Sequence, residues 1–415
     1  MIVRQQQLTF SITVLLLVTW IPLVALSAVR LPPSDGPYSV GRRAFIWTDE
    51  TRPEDASIPD RSSRHVAVFV FYPAGLTRKP AAYYPGLAKF SDGPSVIGLK
   101  AQFLGSWNLV RDGGVETNIF QDAPLADSNE RYPVLLFSPG LSVPALAYSI
   151  QLSELASHGY VIFALDHPYD TALVQLPDGK SMTFADRHAP AGPPNAAFFR
   201  IDGEREAVWT KDTQFVIEQV RKLNSDPGLF QGRLDLSRMG IFGHSMGGRV
   251  AVQACQVIPG IGACLNQDGG LFGVDFRSGE VIPFVSPHAS TNAPLLNIDV
   301  PIHLSPGDLD SEGKKSFGEW QSRKAKLLQD FLSQNSRPTY SVLIQRDGFG
   351  HGSFLDVRYL NALSENQDPK DTLDDLVLIN QLNLAFFDDT LKSKPSSFEK
   401  LMRQKAAGLT VQRLH

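Results

Sequence analysis

The segment Gly243-His244-Ser245-Met246-Gly247-Gly248 is where residue types and spacing most directly imply chemistry. An apolar run, Met239 to Phe242, precedes it, and the small residues Gly247, Gly248, Ala251 and Ala254 follow. That context predicts a strand, a sharp turn at Ser245 and a helix from about Met246 to Ile258. In such an elbow the serine backbone is strained, and the neighbours two places either side must lack side chains; Gly243 and Gly247 occupy those places. A helix beginning just after the serine also aims backbone N–H groups, that of Met246 first, at a developing oxyanion. A G-x-S-x-G string alone is weak; the strand before it and the helix after it give it weight.

A serine hydroxyl becomes a nucleophile when a base takes its proton. Of nine histidines, His351 is the best candidate. It sits in the glycine-rich stretch Asp347-Gly348-Phe349-Gly350-His351-Gly352, after a late strand at Tyr340–Ile344. A loop at the carboxyl end of a late strand can lay a base over an elbow serine. His167 and His244 are nearer competitors, and His244 beside the nucleophile is better read as packing or lining. A carboxylate should orient the imidazole. Asp268, trailed by Gly269-Gly270, follows a strand at Ile261–Asn266, and Asp299 and Asp308 follow one near Ala293–Ile298. Residue types alone do not separate Asp268 from Asp308, because acids at adjacent strand ends can reach one histidine. The second oxyanion donor should come from Ser138-Pro139-Gly140-Leu141; Pro139 has no N–H, which leaves the amide of Leu141 to act with that of Met246.

These groups need a scaffold that brings distant residues to one edge. Short apolar runs alternate with amphipathic stretches along the chain, the pattern of parallel strands joined by helices. His65–Tyr72, Pro133–Phe137, Tyr160–Leu165 and Met239–Phe242 read as buried strands. Helices are expected at Ser149–His158, Glu204–Leu223, Ser316–Ser333 and Leu373–Leu391. The fold class is therefore α/β, a doubly wound, mostly parallel sheet with helices on both faces, in a single domain over 28–415. Long loops at about 74–130 and 166–202, rich in Gly, Pro and Asp, are expected to wall a pocket.

The first residues read differently. Arg4 precedes an uncharged apolar run from Leu8 to Ala28, with small residues at its end. Residues 1–27 match a secretory signal peptide, with Ala25 and Ser27 at the −3 and −1 positions. An uncleaved anchor is the competing reading, since about 20 apolar residues can span a bilayer. Either way the body is translocated, which makes the expected location secreted, periplasmic or extracellular. A net charge of −4, from 39 basic and 43 acidic side chains, argues against nucleic-acid binding through bulk positive charge. Two cysteines make neither a disulfide scaffold nor a structural zinc site. Cys255 and Cys264 are read as buried small hydrophobes rather than as a pair.

Several blocks taken together resemble one family. They are Tyr132-Pro133-Val134-Leu135-Leu136-Phe137-Ser138 with Gly140-Leu141, then Leu155-Ala156-Ser157-His158-Gly159-Tyr160-Val161-Ile162 and Asp166-His167-Pro168. After them come the elbow, Gln267-Asp268-Gly269-Gly270 and Gly350-His351-Gly352-Ser353-Phe354. In this combination the chain, over roughly 36–395, resembles the α/β-hydrolases related to plasma-type (lipoprotein-associated) platelet-activating-factor acetylhydrolase. The resemblance implies an α/β-hydrolase fold, Ser245 as nucleophile, His351 as base, Asp268 rather than Asp308 as the orienting acid, and the Leu141 and Met246 amides as oxyanion hole. It implies no metal and no cofactor. Pro139 departs from the histidine that family members commonly carry there, which bears on the pocket wall.

The expected activity is that of a secreted serine ester hydrolase cleaving short-chain acyl esters, including sn-2 acyl groups of phospholipids, through an acyl-enzyme. A general carboxylesterase, polyesterase or lipase is the alternative, and a non-catalytic binding protein on the same scaffold is a third. The expected partner is a small ester or phospholipid, with peripheral contact to a lipid surface; oligomeric state is not legible.

Overall fold

The computed structural model describes residues 28–54, 63–75, 79–87, 97–127, 130–175, 181–185, 196–275, 278, 280–301, 311–394, 397–403 and 408–414. The 1–27 segment, Asp308 and part of the 166–202 loop lie outside them.

Ten strands form one sheet: β1 Ser39–Pro53, β2 Ser63–Ala74, β3 Ile119–Gln121, β4 Tyr132–Ser138, β5 Val161–Asp166, β6 Leu234–His244, β7 Ala263–Gln267, β8 Leu295–Asp299, β9 Thr339–Ile344 and β10 Leu409–Arg413. Their spatial order is β10-β9-β8-β7-β6-β4-β5-β2-β1-β3. The six strands from β9 to β5 run parallel. Antiparallel strands flank them: β10 beside β9, and β2 between β5 and β1. The helices are α1 Ile97–Gln102, α2 Trp107–Arg111, α3 Ser149–Ser157, α4 Ala196–Ser225, α5 Met246–Val257, α6 Ser311–Ser333, α7 Val357–Ser364, α8 Lys370–Leu391 and α9 Ser397–Arg403.

Side chains alternate between the faces of a strand, so a strand buried on both faces feeds two cores. Leu135 and Phe137 of β4, with Ile162 and Ala164 of β5, point to the layer of α3 and α8, where Leu152, Leu155, Ile379 and Phe386 pack. Val134, Leu136, Val161 and Phe163 point to the layer of α4 and α5, against Val216, Val220, Val252 and Ala254. Both faces being covered explains why these strands read as continuous apolar runs instead of alternating ones.

The structure differs from the sequence reading in several places. The long strand β1 was not expected: its sequence, SVGRRAFIWTDETRP, mixes charges into the pattern. One of those charges, Arg42, is buried and donates to the Tyr83 carbonyl at 3.1 Å. The 74–130 stretch is not wholly irregular, since it contains α1, α2, β3 and a short strand Val115–Glu116 paired with Val29–Arg30. Within 166–202, Leu173–Gln175 pairs with Ser181–Thr183, and α4 already begins at Ala196. The cysteines correct the reading more sharply: Cys255 and Cys264 form a disulfide, with Cα atoms 6.4 Å apart. The Pro259-Gly260 turn folds β7 back along the end of α5, which brings the two sulfurs together inside the core.

Candidate active site

The carboxyl ends of the parallel strands converge on one edge. Strand β6 ends at His244, and Ser245 follows with φ 56° and ψ −123°, a left-handed conformation that a non-glycine residue adopts only when its surroundings impose it. Gly243 and Gly247 make that turn sterically possible. A Cβ on Gly243 would strike the Gly247 carbonyl, and one on Gly247 would strike the carbonyls of Ser138 and Pro139. The Ser245 N–H donates to the Gln267 carbonyl at 2.9 Å, tying the turn to β7.

Strand β7 leads into Asp268, itself at φ 53°. Its N–H donates to the Ile298 carbonyl at 2.7 Å, and its Oδ1 accepts from the Val300 N–H at 3.1 Å. Asn266 closes the same turn, accepting from the Gly269 N–H at 2.9 Å and donating to the Gly269 carbonyl at 2.8 Å. Strand β9 leads, seven residues on, to His351. Its Nδ1 lies 2.5 Å from Asp268 Oδ2 and its Nε2 3.0 Å from Ser245 Oγ. The Asp268 side chain is largely buried at 15% exposure while the imidazole is 54% exposed. The histidine is thus open to solvent while the carboxylate beside it is held in place. In the neutral tautomer that this arrangement favours, Nδ1–H donates to the carboxylate and Nε2 accepts from the serine hydroxyl.

The loop after β4 lies against the elbow: a Cβ on Gly140 would stand 3.4 Å from Ser245 Cβ. Among the described residues, the amides of Leu141 and Met246 donate to no protein acceptor. The Leu141 and Met246 side chains pack with Val208, Trp209 and Val250, an apolar cluster supplied partly by α4. From the 74–130 stretch, α1 reaches the same rim, where Gln102 Nε2 donates to Ser142 Oγ at 2.8 Å.

The other candidates lie elsewhere or act differently. His244 is buried, stacks on Phe354 and stands with its ring 4.5 Å from that of His351. Burial, with the nearby His351, holds its pKa well below the usual histidine range, so it adds no charge beside Ser245. His167 bonds Ser138 and Asp212 rather than Ser245. Asp299 reaches Asn297 and sits behind Asp268, where it lines a cavity of about 390 Å³ with Lys324. Burial and the Asp268 charge push its pKa up to about 7. Asp35, Glu154 and His158 place ligand atoms within 4.8 Å of one another. His158 Nε2 lies 2.7 Å from Asp35 and 3.0 Å from Glu154, so hydrogen bonding accounts for that grouping without an ion. The sequence reading did not single out Asn266 or Tyr148, because neither residue type has a spacing that betrays its contacts.

The chain is similar to several known proteins. The model of the family described as platelet-activating factor acetylhydrolase, isoform II, matches residues 23–182, a stretch that includes the 138–141 loop and ends before Ser245. A protein of Arthroderma benhamiae named as a probable 1-alkyl-2-acetylglycerophosphocholine esterase is 28% identical over 266 residues, covering 61% of this chain and 62% of that one. The platelet-activating factor acetylhydrolase of Cavia porcellus is 26% identical over 248 residues, 54% of this chain and 51% of its own. The chain thus spans between half and two thirds of the length of these curated relatives. Among solved structures, a ferulic acid esterase from Streptomyces cinnamoneus superposes with a TM-score of 0.65 at 21% identity, over 93% of this chain and 99% of that one. The architecture is the α/β-hydrolase fold.

Proposed function

We propose that this chain, a relative of the platelet-activating factor acetylhydrolases, is an exported serine hydrolase of carboxylic esters that favours short acyl groups. One observation carries the reading: Ser245 Oγ, His351 Nε2, His351 Nδ1 and Asp268 Oδ2 form a continuous chain of 3.0 Å and 2.5 Å contacts at the carboxyl edge of the sheet.

His351 takes the hydroxyl proton as Ser245 Oγ bonds to the ester carbonyl carbon. Asp268 keeps the imidazole in the right tautomer and stabilises its charged form. The carbonyl oxygen, now negative, faces the Leu141 and Met246 amides. Collapse of this intermediate breaks the ester C–O bond, and the alcohol leaves with the proton from His351. Water then gives a proton to His351, attacks the acyl-serine and releases the acid, and Ser245 regains its proton.

The relatives' printed activities support short acyl esters of glycerophospholipids as the substrate class. Side chains that could meet a lipid surface stand near the rim: Ile97 and Leu104, at the start of α1 and just beyond its end, are 66% and 76% exposed. Among the described residues no helix is long and apolar enough to cross a membrane. The buried disulfide supports export to an oxidising compartment.

The test is turnover of p-nitrophenyl acetate by the mature chain and by Ser245→Ala, followed by a panel of short sn-2 acyl phospholipids, simple esters and polymeric esters. The reading expects Ser245→Ala to lose about 10⁴-fold or more in kcat with the fold intact. It also expects kcat/KM to be highest for the short-acyl phospholipids. Retained turnover in the variant contradicts the serine mechanism, and preference for simple or polymeric esters contradicts the phospholipid assignment.

A further inference from the structure

A second serine-histidine-aspartate array lies beneath the first. Ser138 Oγ is 3.2 Å from His167 Nε2, and His167 Nδ1 is 2.8 Å from Asp212 Oδ2. Asp212 in turn accepts from Arg64 through both oxygens, at 3.2 and 2.7 Å. All four residues are at most 2% exposed. No substrate carbonyl can reach Ser138, so this array does not repeat the chemistry of the exposed one. The Arg64 charge holds the Asp212 carboxyl below its usual range despite its burial, and burial lowers the His167 pKa. Burial thus favours the neutral imidazole, in which Nδ1–H donates to the carboxylate and Nε2 accepts from the Ser138 hydroxyl. Its ring stacks on Trp209 at 4.0 Å with planes 9° apart, which fixes its orientation.

Ser138 is the last residue of β4, three residues before Leu141. The same turn that carries His167 holds the rest of that loop: Asp166 Oδ1 accepts from the Ala145 N–H at 2.7 Å, and the Asp170 carbonyl accepts from the Ser142 N–H at 2.7 Å. Ser142 is at φ 63° and Tyr169 at φ 66°, both in the left-handed region. From the other side, the Tyr148 hydroxyl accepts from the Gly140 N–H at 3.1 Å and is hydrogen-bonded to His244 Nδ1 at 2.8 Å. The loop is thus tied to the turn at 166–171 and, through Tyr148, to the residue preceding Ser245.

We infer that His167 and Tyr148 are positioning residues, which grip Ser138 and Gly140 so that the Leu141 amide stands where a tetrahedral intermediate puts its oxyanion. The inference rests on the serine-hydrolase reading above. An oxyanion donor acts only if its position is fixed before charge develops. Loosening the loop should therefore affect the transition state and leave substrate binding alone.

Ser138→Ala removes the hydroxyl that His167 grips, and Tyr148→Phe removes a single oxygen without opening a void. Each is measured for kcat and KM on p-nitrophenyl acetate, and for affinity toward a trifluoromethyl ketone whose serine adduct presents an oxyanion. Loss of one donor outright costs about 10²–10³-fold, so loss of its alignment should cost about 10–100-fold in kcat. KM should stay within about twofold, and ketone affinity should fall in parallel with kcat/KM. Wild-type kcat/KM and ketone affinity in either variant, or a lowered melting temperature with ketone affinity unchanged, overturns the inference. Wild-type turnover is measured first: an inactive wild type removes the hydrolase reading and this inference with it, whereas an active wild type with unaffected variants overturns the inference alone.

Discussion

At the scale of single residues, Asp166 gives a pH signature with a definite sign. Its carboxyl is buried and accepts one backbone N–H from Ala145, and desolvation pushes its pKa up to about 7. In the unfolded chain it titrates near 4. Between those values the folded protein holds a proton that the unfolded chain has released. The contribution is fully present below pH 4 and is lost as pH rises through 7, with a slope of up to about 1.4 kcal/mol per pH unit. Asp299 acts in the same sense, so wild-type stability alone does not isolate one group. Asp166→Asn keeps the acceptor and cannot ionise. Denaturant unfolding at pH 5, 6, 7 and 8 should give a flatter curve for the variant, which becomes the more stable form, relative to wild type, at pH 8. Parallel curves would contradict the assignment. Residues differ in how legible they are from sequence. Ser245 is marked by the glycines that make room for its turn, and His351 by its place in a glycine-rich stretch after a late strand. Asp268 is marked only weakly, because any acid after a neighbouring strand competes with it. His167 has the residue type of a base, and nothing local says that it faces Ser138. Tyr148 carries no signal at all, since its use depends on a partner, His244, on a strand far away in sequence.

At the scale of elements, α5 and β7 carry the two ends of the site and are stapled to each other. The Cys255–Cys264 disulfide closes a loop with a sequence separation of nine. Chain-entropy reasoning gives such a loop about 2–3 kcal/mol of stabilisation. The Cys255→Ala/Cys264→Ala double variant should lose about that much in denaturant unfolding and become more prone to inactivation on heating. A variant as stable as wild type would show that the pair contributes nothing. The sequence reading treats these cysteines as unpaired because both lie in apolar runs, and periodicity does not register that a turn returns β7 alongside α5. The same limit explains the other misplacements. Parallel strands buried on both faces are legible as apolar runs. Strand β1 is not, because its charged residues mask the pattern; Arg42 is satisfied by backbone carbonyls that only the folded loop brings near it. The short helices and strands within 74–130 are held by tertiary contacts rather than by their own propensity, so composition shows only their glycines and prolines.

At the scale of the whole molecule, the proposed reaction depends on three side chains from three strand ends, spread over more than 100 residues of sequence, meeting at one edge of a twisted sheet. A mostly parallel sheet with helices on both faces was legible, because apolar runs alternate with amphipathic segments; the order of its strands and its antiparallel flanks were not. Substrate choice was not legible, because it depends on loops whose composition says little about the space they enclose. The sharpest check is peptide mapping by mass spectrometry after the active protein reacts with an alkyl fluorophosphonate. One adduct is expected, on Ser245, rising in step with loss of ester turnover and absent from His351→Ala. An adduct on another residue, or full inhibition with Ser245 unmodified, would contradict it.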